Sequence, residues 1–92
     1  MNDTKYKVVF NDYNFMDEEG TFSATLVYKL YGKKNNIVVY LDFDDGRKIV
    51  SVAYKEGNYL GIKDIEIDSK VEVTYEQSNS GIYRLTEINV IE

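Results

Sequence analysis

Two short turn signals constrain this chain more than anything else in it. Between them they assign every side chain from Thr21 to Tyr54 to one face or the other. Asp45-Gly46 reads as a two-residue turn of type I′ that pairs Asp44 with Arg47. Leu41 then faces Val50, Val39 faces Val52 and Ile37 faces Tyr54 on one side of a hairpin. Gly32-Lys33-Lys34-Asn35 reads as the preceding turn, so that Leu30 meets Ile37, Tyr28 meets Val39, Leu26 meets Leu41 and Ala24 meets Phe43 on that same side. The two turns agree on one apolar face, which a slip of a single residue would expose to water. The expectation is a three-stranded antiparallel meander with strands near 21–31, 37–44 and 47–54. Its core should hold Leu26, Tyr28, Val39, Leu41, Val50 and Val52, joined by Val71 and Val73 from further along the chain.

The rest of the chain is also strand-like. It has nine tyrosines, many Val, Ile and Thr residues, no proline, and no stretch with sustained helical spacing of apolar residues. Lys5 to Phe10 alternates Tyr6, Val8 and Phe10 with Lys5 and Lys7, the pattern of a short edge strand. Asn11 to Gly20 is a connection whose Tyr13, Phe15 and Met16 should plug one end of the core. Between Lys55 and Lys70 the pattern is irregular, with a turn at Glu56-Gly57-Asn58 and a brief extended piece in which Asp64, Glu66 and Asp68 alternate with Ile65 and Ile67. Val71 to Gln77 is a strand and Ser78-Asn79-Ser80-Gly81 a loop. In the final strand, Ile82 to Ile91, Tyr83 and Leu85 keep one phase and Ile88 and Val90 the other, which predicts a bulge near Thr86-Glu87.

The order from residue 21 is long strand, strand, strand, a connection of about sixteen residues, strand, strand. The residues that carry it are Val38 to Gly46, Ile65 to Val73 and Tyr83-Arg84-Leu85. In this order the chain resembles the oligonucleotide/oligosaccharide-binding (OB) fold, a five-stranded, partly open barrel. SH3-like barrels and other small rolls share most of these cues. The chain departs from the OB pattern in lacking the Gly usual at the Asp68 turn, and in showing no evident helix between the third and fourth strands. The fold class expected is all-β, a small antiparallel barrel or roll of five to six strands, OB-like. Residues 1–92 should form one domain, with 1–20 an N-terminal strand and connection packed on it.

Composition narrows the function more by exclusion than by pointing. Ninety-two residues make a single domain, which buries roughly 60–65% of its unfolded surface in one core. The chain is 43% hydrophobic, too apolar for disorder. With neither Cys nor His it lacks the thiol nucleophile, the most frequent general base and the usual zinc ligands. No phosphate-binding glycine loop or nucleophile elbow is present. Asp42-x-Asp44-Asp45-Gly46 resembles the start of a calcium loop, but its glycine comes one place early and Ala53 stands where a bidentate Glu is needed. Neither enzymatic activity nor a cofactor is expected. The polar start and the lack of a long apolar run give no signal peptide or membrane helix, so cytoplasm is the expected location; Asn2-Asp3-Thr4, formally a glycosylation acceptor, carries no weight there. Asn, Lys, Ile and Tyr are frequent, the bias of an AT-rich genome such as that of a bacterium or its phages.

Two surfaces are candidates for contact. On the outer face of the meander this register places Lys29, Tyr31 and Tyr40 alongside Val27, Val38, Ile49 and Ala53, with Lys33, Lys34 and Arg47 at its ends. Tyr beside Lys can stack bases and follow a phosphate backbone, and Tyr with Arg also favours protein interfaces. The second surface is acidic, formed by the run Asp17, Glu18 and Glu19 and the alternating Asp64, Glu66 and Asp68. A formal charge of −5 disfavours nucleic acid at long range and favours a protein partner, for example a target with a basic groove. The expected function is thus that of a non-enzymatic binding module, an accessory factor or inhibitor. An OB-type binder of single strands or oligosaccharides is the alternative.

Overall fold

The computed structural model describes residues 10–91. Five strands, β1 (Gly20–Tyr31), β2 (Asn36–Phe43), β3 (Lys48–Tyr54), β4 (Lys70–Gln77) and β5 (Tyr83–Val90), form one sheet in the order β3-β2-β1-β4-β5. Every neighbouring pair is antiparallel. The sheet is not closed into a barrel: β3 and β5 are its two edges, and no ladder joins them. A 3-10 turn, Phe10–Asp12, opens the described chain, and the segment Lys55–Asp64, 3-10 only at its two ends around a non-helical stretch from Gly57 to Gly61, links β3 to β4. The expected strand Lys5 to Phe10 lies outside the described residues except at Phe10, which belongs to that first turn. Among the described residues no helix is long and apolar enough to cross a membrane.

The meander is present, but both of its turns are one residue away from the sequence expectation. At Asp45-Gly46 the hydrogen bonds run from Phe43 N–H to Arg47 O, 2.8 Å, and from Gly46 N–H to Phe43 O, 3.0 Å. This is a three-residue loop in which Gly46 alone takes positive φ (+100°), not a two-residue turn in which Asp45 would need it as well. Leu41 therefore pairs with Ile49, Val39 with Ser51 and Ile37 with Ala53. Ile49 and Ala53, expected outside, are buried; Val50 and Val52, expected in the core, are half-buried on the other face, and Tyr54 is exposed. The earlier turn is likewise a three-residue loop, Lys33-Lys34-Asn35, with Asn35 at φ +59° and Gly32 N–H bonded to Asn36 O.

That second difference is undone within β1 itself. A bulge at Val27 absorbs one residue between Leu26, which pairs with Leu41, and Tyr28, which pairs with Tyr40. Ala24–Phe43 and Leu26–Leu41 therefore stand as expected, whereas Lys29 pairs with Val39 and Tyr31 with Ile37. Tyr28 and Leu30 turn outward, and Lys29 moves to the phase of the core. The bulge bends the strand, and β1 uses the bend: its first half pairs with β4 and most of its length with β2.

The core holds Leu26, Val39, Leu41, Val71 and Val73, as the sequence indicates, with Ile37, Phe43, Ile49, Ile62, Ile65, Tyr75, Leu85 and Ile88. The bulge expected near Thr86-Glu87 is present: Thr74 pairs with Glu87 and Tyr75 with Leu85, so Thr86 is the extra residue. It explains how Leu85 and Ile88, three apart, both reach the core. Of the three residues expected to plug the core, only Met16 does so, at 5% exposure. Tyr13 is half-buried on the outer face and Phe15 is 77% exposed. Residues 64–68 form no strand; Asp64, Glu66 and Asp68 point into solvent, Ile65 is buried and Ile67 partly exposed.

Candidate binding groove

Because the sheet curls without closing, its two edge strands flank a groove. β3 lines it from Val50 to Tyr54, the tip and start of β5 from Gly81 to Leu85, and Met16 and Leu60 also contribute, for a volume of about 990 Å3. That is at the upper end for ligand-sized pockets. Three of the most exposed large apolar residues of the described chain, Phe15, Ile82 and Tyr54, lie on it. Beneath them the hydroxyls of Ser51 and Tyr75 meet at 2.5 Å, both residues being buried. Burial pushes the Tyr75 phenol up to about 12, against a smaller lowering by the Ser51 hydrogen bond.

The backbone polarity of both walls follows from strand alternation. Ile49, Ser51 and Ala53 form the hydrogen-bonded pairs with β2, so Lys48, Val50 and Val52 direct their N–H and C=O groups away from it. The segment before β1 uses part of this edge: Asn14 N–H donates to Lys48 O at 3.0 Å, and Val50 N–H donates to Asn14 O at 2.9 Å. Val52 lies beyond that bridge and has no backbone partner on this side among the described residues. On the other wall, the bond from Ser78 N–H to Ile82 O sets the phase of the hairpin, so Arg84 faces β4 while Tyr83 and Leu85 direct their backbone groups outward.

The linker on one flank of the groove is conformationally unusual. Asn58, Tyr59 and Leu60 have φ of 54–55° and Gly61 of 78°, one left-handed turn in succession. Each non-glycine residue there costs roughly 1–2 kcal/mol. Burial of Ile62 and the packing of Tyr59 and Leu60 on the core hold it. Lys29 closes its far end, its Nζ donating to the carbonyls of Ile65 at 2.6 Å, Ile62 at 3.3 Å and Lys63 at 3.4 Å.

The residues singled out in the sequence are scattered rather than gathered. Lys29 is committed to those carbonyls. Arg47 stacks on Phe22 and Phe43, 4.9 and 5.3 Å from their ring centres, and pairs with Asp45 and Glu18 at 2.8 Å and Asp17 at 3.6 Å. The Asp45 carboxyl is held below its ordinary range by its hydrogen bonds from the Arg47 side chain and backbone, and the guanidinium is correspondingly raised. Tyr40 is half-buried, its ring edge-on to Tyr13 at 5.3 Å and tilted against Tyr28 at 6.3 Å. Tyr13 in turn donates to Asp42 at 2.6 Å, and burial together with that carboxylate raises its phenol pKa. Tyr31, Lys33 and Lys34 are exposed around the first turn. Glu19 accepts the Gln77 N–H at 2.7 Å, while Asp64, Glu66 and Asp68 make no ion pair among the described residues. Asp44 pairs with Lys70, not with Arg47. No group of acidic side chains among the described residues is arranged to hold a metal ion.

The groove itself was missed in the sequence, since it joins the two strands farthest apart in the sheet. Its one local signal is that the apolar residues Tyr54, Leu60 and Ile82 stand beside irregular segments. No family model and no curated protein matches this chain.

Proposed function

We propose that this chain is a small acidic binding module without enzymatic activity, acting through a protein partner as an accessory factor or inhibitor. The observation that carries the reading is the apolar groove between two sheet edges that no ladder joins among the described residues, in a chain with no His or Cys to do chemistry. Edges left open in this way are normally covered, charged or shortened, because they pair with other chains. We read the architecture as OB-like, opened between its third and fifth strands. Two features support this: the strand order, and Asp68, whose φ of +77° is the conformation that glycine supplies in related turns. The Asn-, Lys-, Ile- and Tyr-rich composition leads us to assign the module to a bacterium or its phages, and cytoplasm is the location we propose for it.

A nucleic-acid role for the Tyr31/Tyr40 face has less support. Two of its cations, Lys29 and Arg47, already serve intramolecular partners, leaving Lys33 and Lys34 against the net charge of −5. The test sets the two classes side by side. Random dodecapeptides displayed on phage are selected against the folded protein, and labelled single-stranded DNA and RNA are titrated at about 50 mM salt, where electrostatic binding is strong. The reading expects peptide binders and no micromolar nucleic-acid binding. Nucleic-acid binding that is lost in Lys33→Glu, with no peptide selected, would overturn it.

A further inference from the structure

We infer that the groove is covered by a second copy of this chain, in a two-fold dimer where Glu56 of each copy meets Arg84 of the other. The inference goes beyond the partner reading above: the dimer masks the apolar face until a partner displaces the second copy. β3 and β5 approach within 8 Å of each other, Cα to Cα, whereas a strand inserted between them needs about 9.5 Å, two strand spacings. The groove therefore receives side chains and not a main chain.

Its charges choose the occupant. The groove is lined by one acid and one base, Glu56 on the linker after β3 and Arg84 on β5, so the two belong to opposite walls. Both residues are exposed, and neither side chain has an ionic partner among the described residues. A face with one unpaired charge of each sign on its two sides is complementary to itself, because a two-fold axis brings each acid to the other copy's base. The face is also neutral in a chain of net charge −5. Two copies meet there with the least repulsion, their remote charges being screened over about 8 Å.

Shape agrees with charge. Phe15 and Ile82, 77% and 58% exposed, stand at the rim of a hollow that they leave open. The same rotation lays the rim of one copy over the hollow of the other. A large aromatic side chain buries about 150–250 Å2, so two copies each of Phe15, Tyr54 and Ile82 make an interface of about 1,200 Å2 or less. That is the size of a transient contact, and micromolar affinity suits it.

Sedimentation velocity on the full chain, from micromolar to millimolar concentration, should show a monomer giving way to a dimer and to nothing larger. Glu56→Arg sets Arg against Arg at both contacts and Arg84→Glu sets Glu against Glu, so each alone should weaken dimerisation at least tenfold. Mixed in equal amounts, the two variants place Arg opposite Glu at both contacts and should dimerise as tightly as the parent. That rescue excludes a folding defect as the cause. Phe15→Ser, at a site too exposed to matter to the fold, should also weaken the dimer at least tenfold. The inference would be overturned by a monomer at millimolar concentration, by species larger than a dimer, by a single reversal or Phe15→Ser that leaves the dimer intact, or by a mixture that stays monomeric. Each of these results would leave the partner reading to stand or fall on the peptide selection.

Discussion

Tyr75 is where burial makes its most measurable demand on stability. The phenol is 1% exposed and has the Ser51 hydroxyl as partner, and its pKa is pushed from an ordinary 10.0 to about 12. Below pH 10 the folded and unfolded chains both hold the proton, and the contribution of the buried phenol is complete. Between pH 10 and 12 the unfolded chain releases the proton while the folded chain retains it, so stability falls as pH rises; above pH 12 both are ionised and the loss is finished. Two pKa units correspond to about 3 kcal/mol, a large part of the 5–15 kcal/mol typical of a domain. Tyr75→Phe forgoes the hydrogen bond, about 1 kcal/mol at neutral pH, but has no phenol to titrate. The variant should thus be the weaker protein at pH 7 and overtake its parent near pH 11, where the parent has lost roughly 1.4 kcal/mol. Urea midpoints measured across that range read the difference directly. Every other titratable group is common to parent and variant, so its contribution cancels in the comparison. A gap between parent and variant that stays constant up to pH 12 would refute the reasoning.

Three further outcomes are expected from the packing and the backbone. Leu41→Ala, at a site with no exposure between Leu26 and Ile49, should cost about 2–5 kcal/mol in urea unfolding. Gly46→Val should cost about 1–3 kcal/mol; a β-carbon there meets no atom within 4 Å, so the cost reports the φ of +100° alone, and a neutral result would contradict the three-residue loop. Asp68→Gly should be neutral to stabilising by up to about 1 kcal/mol, since glycine occupies φ +77° without strain, and clear destabilisation would show that the Asp68 side chain contributes something else.

How far the fold was legible depended on whether a residue's error could be seen in the pattern. In β5 the change of phase between Leu85 and Ile88 exposed the bulge at Thr86, because polar residues separate them. In β1 the run Leu26-Val27-Tyr28 is apolar on both faces, so the bulge at Val27 left no trace. β2 is equally ambiguous, with Ile37-Val38-Val39-Tyr40-Leu41 satisfying either face. β3 suggests the opposite phase because Ser51 looks like an outward residue beside Val50 and Val52; only the Tyr75 hydroxyl, twenty-four residues on, makes an inward serine acceptable. Asp45-Gly46 suits the shorter turn as well as the loop that forms, since both need Gly at positive φ. Lys29 and Arg47 suit a contact face by residue type; apart from Asp45, their partners come from distant segments, the carbonyls of 62–65 and the carboxylates of 17–18. The left-handed turn shows only in Asn58 and Gly61, the two residues in it that tolerate such φ values.

Amide hydrogen exchange along β3 tests the open sheet most directly. Ser51 and Ala53 donate to β2, whereas the Val52 N–H faces the groove. Slow exchange at Ser51 and Ala53 with fast exchange at Val52, and fast exchange at Tyr83 and Leu85 on the facing edge, is the pattern an open sheet predicts. Val52 and Leu85 protected as strongly as Ser51 in the free monomer would mean that these edges are already paired, and that the sheet is closed.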